Sequence, residues 1–122
     1  MVGVNYPWRH YGGDFGATVW GSRAGVATAP AEIAEDFAAM AAHGVEVARW
    51  FVFTDARGGV RIDAAGWPAG LAAGTLDDLD AALAIASAAG VRLVPVLFDH
   101  TLAFRATASA GARVGGHGHW LG

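Results

Sequence analysis

HGVEVARWFVF, residues 43–53, places a glycine after a helical stretch and then enters a run in which Glu46 and Arg49 are the only charges. A near-continuous apolar run of this kind is what a parallel strand covered on both faces requires. The same device returns at residues 91–98, VRLVPVLF, again straight after a glycine, Gly90. AAHGVEVARW and SAAGVRLVPV thus form a weak internal repeat: a helix end joined to a strand start, used twice.

Outward from these runs the helices announce themselves. Over residues 30–43, Pro30 stands at the start, Glu32, Glu35 and Asp36 favour the positive end, and Ile33, Phe37 and Met40 recur at helical spacing. Over residues 76–89, Thr75 and Asp78 resemble a capping box, with aspartate in the usual glutamate position. Leu76, Leu79, Leu83 and Ala86 give the apolar stripe, and Asp77, Asp78 and Asp80 read as dipole and solubility residues. With a first strand over residues 1–5, the order is strand, helix, strand, helix, strand: an α/β chain built of two βαβ crossovers.

Length and composition bound the rest. A chain of 122 residues, 54% hydrophobic, has material for one core and is read as one domain, 1–122. Its net charge is −3, and its basic residues are scattered arginines, so neither a nucleic acid nor a membrane surface is expected as partner. Lysine and cysteine are both absent. Schiff-base chemistry, the phosphate-loop lysine, thiolate catalysis and cysteine-ligated zinc therefore fall away. The first residues show no charged segment leading into an apolar one, and no run approaches a membrane span, so a soluble chain without a visible export signal is expected, its localisation otherwise open.

The polar residues sort by strand end. Asn5 and Trp8 follow the first strand, Thr54 and Asp55 the second, Asp99 and His100 the third, and Arg49 lies late in the second. All fall toward the carboxyl ends, where successive loops of parallel α/β sheets converge on ligands. The glutamates Glu32, Glu35 and Glu46 fall elsewhere. Residues 54–74 make a long connection in which Val60, Arg61 and Ile62 are either loop or one arm of a short hairpin.

GVNYPW after the first strand, HGVEVARWFVF and GVRLVPVLFDH together resemble the first three βα units of a (β/α)8-barrel glycoside hydrolase of the cellulase-like clan, clan A, nearest to family 5. The resemblance implies a truncated TIM barrel, a carbohydrate substrate, retaining hydrolysis of O-glycosyl bonds and no cofactor. Arg49 matches the strand-two arginine that hydrogen-bonds the nucleophilic glutamate in that family. His100 matches the strand-three histidine lining the sugar subsite, although the family often writes Asp-x-His where this chain has Asp99-His100. Asn5 closes the Gly-hydrophobic-Asn signature, Asp99 belongs to the same substrate side, and Trp8 matches a habit of aromatic sugar platforms. The family's acid/base glutamate follows strand four and its nucleophile strand seven, beyond Gly122. The implied object is an amino-terminal portion of an enzyme, with substrate-side residues and no catalytic pair.

Two readings from other classes stand beside it. One is a metal-dependent barrel hydrolase using Asp99, His100, His117 and His119; the other is a non-catalytic βαβ module that binds ligand or partner. The glycine-rich tail, residues 111–122, otherwise reads as loop, with its His-x-His spacing a poor metal site. Trp50 and Trp67 read as packing residues. Three strands leave unpaired edges and an uncovered apolar face, so self-association is expected, with Pro95 blunting one edge position.

Overall fold

The computed structural model describes residues 1–22 and 24–122. In chain order the elements are β1 (Gly3–Asn5), α1 (Pro30–Ala42), β2 (Val47–Phe51), β3 (Val60–Ile62), β4 (Pro68–Leu71), α2 (Thr75–Ala89), β5 (Arg92–Val96), β6 (Thr107–Ser109) and β7 (Ala112–Val114). Short 3-10 turns lie at Val26–Thr28, His100–Ala103 and Gly118–Leu121.

The two apolar runs are neighbours in a parallel sheet of order β1-β2-β5. The strands are shorter than the runs that announce them, but pairing continues past their ends: Val52 N–H donates to the Val96 carbonyl at 2.8 Å and Phe53 N–H to that of Leu97 at 2.9 Å. Both helices lie on one face, where Ile33 and Phe37 of α1 and Ala82 and Ala86 of α2 close over Ala48 and Trp50 of β2. Trp50 is 1% exposed, packed edge-on against Tyr6 and Phe15. On the other face Asn5, Arg49, Arg92 and Val94 are exposed.

The phase expected for α1 holds: Pro30 opens it, and Ile33 and Phe37 are buried. That of α2 holds only in part: Ala86 is buried and Leu79 packs against the core. Its inward face is Thr75, Asp78, Ala82 and Ala86, while Leu76 and Leu83 are 63% and 57% exposed. The capping box is absent too, since Gly74 in the left-handed region is the cap and Thr75 already lies inside the helix. The Thr75 hydroxyl lies 2.9 Å from the Ala72 carbonyl and 3.1 Å from that of Gly59, with its one proton for either.

Asp78 is a buried fastener rather than a solubility residue. Its carboxylate accepts from Gly16 N–H at 2.7 Å and Ala27 N–H at 2.8 Å. The backbone of the opening loop needs these acceptors, and a carboxylate bonded to amides is much stronger than a neutral pair. This fixes the rotation of α2, which meets the core through Ala82 and Ala86 with Leu79 and Ile85 packed beside them. A side chain at Gly25 would strike the Asp78 carboxylate, so the loop can approach only as glycine.

Two other stretches carry more structure than loop. Within residues 54–74, β3 and β4 form an antiparallel hairpin. In the tail, β6 and β7 pair antiparallel through Ala110 and Gly111, both at positive φ (45° and 81°), as a tight two-residue turn demands. The turn Gly118–Leu121 follows. Among the described residues no helix is long and apolar enough to cross a membrane.

Candidate functional site

The sheet register places Asn5 opposite Arg49 at the carboxyl end of β1. Because successive strand residues face opposite ways, Ala48 and Trp50 enter the core and Arg49 stands on the uncovered face. Its Nη1 donates to Asn5 Oδ1 at 3.2 Å, and its guanidinium lies 4.5 Å from the centre of the Phe51 ring. Among the described residues no carboxylate pairs with it.

From Phe51 the contacts run on without a break. Trp8 lies 6.3 Å from Phe51, Tyr11 is edge-on to Trp8 at 5.2 Å, and Arg57 lies 4.7 Å from the Tyr11 ring. Arg57 in turn grips buried Asp55 through two bonds of 2.8 Å. Those bonds hold Arg57 protonated more firmly than an ordinary arginine, against the opposing effect of burial. The result is a ribbon of aromatic and charged groups from Asn5 to Asp55 along the loops that follow β1 and β2.

Asp14 sets the first of these loops and was not picked out from the sequence. It is 1% exposed and receives Arg9 N–H at 2.6 Å, His10 N–H at 2.7 Å and Trp50 Nε1–H at 2.8 Å. His10 Nδ1 lies 3.0 Å from the same carboxylate. The available signal was an aspartate set in GGDFG directly after the aromatic cluster: buried among glycines, such a carboxylate must collect donors. The loop is also tied to α1. Tyr6 donates its hydroxyl to Asp36 at 2.6 Å, and Arg9 pairs with Asp36 at 3.2 Å and Glu32 at 3.4 Å. Burial and the bond to Asp36 push the Tyr6 phenol well above its ordinary range, so it remains a donor.

The second loop packs against the first backbone to backbone. A Cβ at Gly58 would lie 2.8 Å from the Gly12 carbonyl, and one at Gly12 would lie 2.7 Å from Arg57 Cδ. Thr54 sits in the left-handed region at φ 55°, and its buried hydroxyl has no hydrogen-bond partner among the described residues.

Asp99 and His100 follow β5 on the same edge. Asp99 N–H donates to the Thr54 carbonyl at 2.9 Å, and its carboxylate accepts the Thr101 N–H at 2.6 Å and the Thr101 hydroxyl, capping the turn His100–Ala103. His100 is exposed, with its ring edge-on to Phe104 at 5.0 Å. Asn5, Arg49 and Trp8 are thus joined by contact through Phe51. His100 and Asp99 occupy the neighbouring loop.

The four donors of the metal-dependent reading are not assembled. His117 stacks on Trp120 at 4.4 Å, His119 Nε2–H donates to the Gly66 carbonyl at 2.9 Å, and Asp99 caps its own turn. Among the described residues no three His, Asp or Glu side chains gather as ligands. Burial, and then His119, lower the pKa of His117 from its ordinary value. Trp67, expected in packing, is 49% exposed and edge-on to His119 at 4.8 Å.

No family model matches this chain, and no curated protein does. Among solved structures it is similar to the crystal structure of beta-1,4-D-mannanase from Cryptopygus antarcticus, with a TM-score of 0.68 and 27% identity over 80% of this chain. The chain spans 26% of the mannanase chain, which is a glycoside hydrolase with a TIM barrel. A mixed α/β, glycoside-hydrolase-like fold is what this likeness supports.

Proposed function

We propose that the chain forms the first three βα units of a retaining glycoside hydrolase barrel and supplies its substrate-side residues. One observation carries the reading. Arg49 stands at the carboxyl end of the sheet, on its uncovered face, oriented by Asn5 and Phe51 and without a carboxylate among the described residues. A guanidinium held this way is a ready partner for a carboxylate brought from elsewhere. Hydrogen bonds to a nucleophilic carboxylate keep it ionised and aimed. Trp8 and His100 then border the sugar, with Asp99 setting the loop that carries His100.

Retaining hydrolysis needs two carboxyl groups about 5 to 5.5 Å apart, one to protonate the leaving oxygen and one to attack the anomeric carbon. The carboxylates near this edge are already committed: Asp55 to Arg57 and Asp99 to its turn. Glu46 stands at the other end of β2, paired with the chain's amino terminus and Arg92, and Glu32 is paired with Arg9 on α1. The 122-residue chain by itself is therefore expected to release no reducing sugar from a panel of polysaccharides, β-1,4-mannan included. Release that is abolished by Asp55→Asn or Asp99→Asn would overturn this.

The positive test is a chimera in which this chain replaces the matching segment of the mannanase. We expect mannan hydrolysis, and a loss of about 100-fold or more in kcat on Arg49→Ala with the fold intact, as for removal of a group that stabilises charge at the reacting centre. A folded, active chimera indifferent to Arg49→Ala would refute the assignment.

A further inference from the structure

A second recess, separate from the Arg49 ribbon, lies between the β3–β4 hairpin and the tail. Its volume is about 360 Å3, near the lower end of the range for small-ligand sites. Ile62 and Gly66 form one wall, and Arg113, His117 and His119 stand on the other. Every ionisable side chain lining it is basic. Arg113 is exposed on β7, and its side chain has no hydrogen-bond or ion-pair partner among the described residues.

The nearby acids face other partners. Asp55, which lies within electrostatic reach of His117, is held by both arms of Arg57. Asp63 of the hairpin accepts the N–H groups of Ala65 and Trp67, each at 2.9 Å. The tail wall is fixed in place: Gly115 N–H donates to the Asp55 carbonyl at 3.3 Å and His117 N–H to that of Leu102 at 2.8 Å. Between them Gly115 and Gly116, at φ 70° and 76°, turn the backbone so that His117 returns beside Arg113. On the hairpin side, His119 and Trp120 both donate to the Gly66 carbonyl.

We propose that this recess binds the oxyanion of a small ligand, a carboxylate or a phosphate ester, with the Arg113 guanidinium as its principal contact. A guanidinium matches either group with two parallel bonds, and a rigid recess lowers the ordering cost. Binding carries a proton with it. His117 is opposed in protonation by burial, His119 and Arg113, and favoured by Asp55. An anion in the recess favours the protonated form of His117, so affinity rises as pH falls.

The test titrates the full chain with glucuronate, with inorganic phosphate and with neutral glucose, following the amide and side-chain NMR signals of Arg113, Gly115 and Gly116. We expect saturable shifts with an oxyanion and none with glucose, an affinity about tenfold weaker in Arg113→Ala, and tighter binding at pH 5.5 than at pH 7.5. Response to glucuronate alone identifies a carboxylate site, to phosphate alone a phosphate site, and to both a general oxyanion site. Arg113→Lys, which keeps the charge but not the fork, should fall between. No saturable response, an equal response to glucose, or unchanged affinity in a folded Arg113→Ala protein would overturn the proposal.

Discussion

The two faces of the β1-β2-β5 sheet treat charge in opposite ways. On the face beneath the helices, Asp14 and Asp78 are 1% and 0% exposed; Asp78 collects two N–H donors from more than fifty residues away, and Asp14 collects two from its own loop and the Trp50 indole from β2. There, charge is saturated and fastens the opening loop to β2 and α2. On the uncovered face Arg49 has one neutral amide and one aromatic ring as company. A saturated charge explains a fold, and an unsaturated one invites a ligand or a catalytic partner. The difference separates residues that hold this protein together from those that it offers.

Three variants probe that contrast. The largest effect is expected for Asp78→Ala, which leaves the buried N–H of Gly16 and the part-buried N–H of Ala27 without their acceptor and should cost about 3–5 kcal/mol. Chemical denaturation followed by circular dichroism measures it, and a loss below about 1 kcal/mol would break the distinction between the faces.

Next comes the flank of α2, where Leu76, Leu79, Leu83, Leu93 and Pro95 line an apolar cavity of about 290 Å3. The isolated chain is expected to self-associate through such surface. Leu76→Glu combined with Leu83→Glu should weaken association about tenfold or more in sedimentation velocity, since each leucine removed from water contributes roughly 1.5–3 kcal/mol. A wild-type chain that remains monomeric at high concentration would discard this expectation.

The smallest effect belongs to Arg49→Ala in the 122-residue chain. An exposed arginine with one long bond to an amide should change unfolding free energy by less than about 0.5 kcal/mol. Paired with a large kcat loss in the chimera, that result would sharpen the contrast. A loss above about 2 kcal/mol would make Arg49 a fastener like Asp78.

The repeated helix-glycine-strand device was readable because continuous apolar runs and terminal glycines are local signals. It led to the parallel sheet, both helices and the placement of Asn5, Arg49, Asp99 and His100 at one edge. The rotation of α2 was not readable. Leucines predict an inward stripe, but two backbone amides more than fifty residues away recruit Asp78 and turn Leu76 and Leu83 of that stripe outward. Asp14 escaped notice for the same reason, since its donors include an indole 36 residues downstream. The β6–β7 hairpin was hidden by glycines, which a sequence reader takes for slack and which here hold turns at positive φ. The oxyanion recess is likewise a product of assembly, with its walls drawn from residues about fifty positions apart.

The indole of Trp50 has a consequence for how the protein can be observed. Of the five tryptophans it alone is buried, with its N–H on the Asp14 carboxylate and rings of Tyr6, Phe15 and Phe37 around it. Trp8, Trp20, Trp67 and Trp120 all keep some contact with solvent. Emission shielded from an ionic quencher therefore comes from one known point beneath the helices, while the quenchable fraction comes from the loops and tail. The protein carries its own optical divide between scaffold and periphery, and loosening of either can be followed without attaching a label.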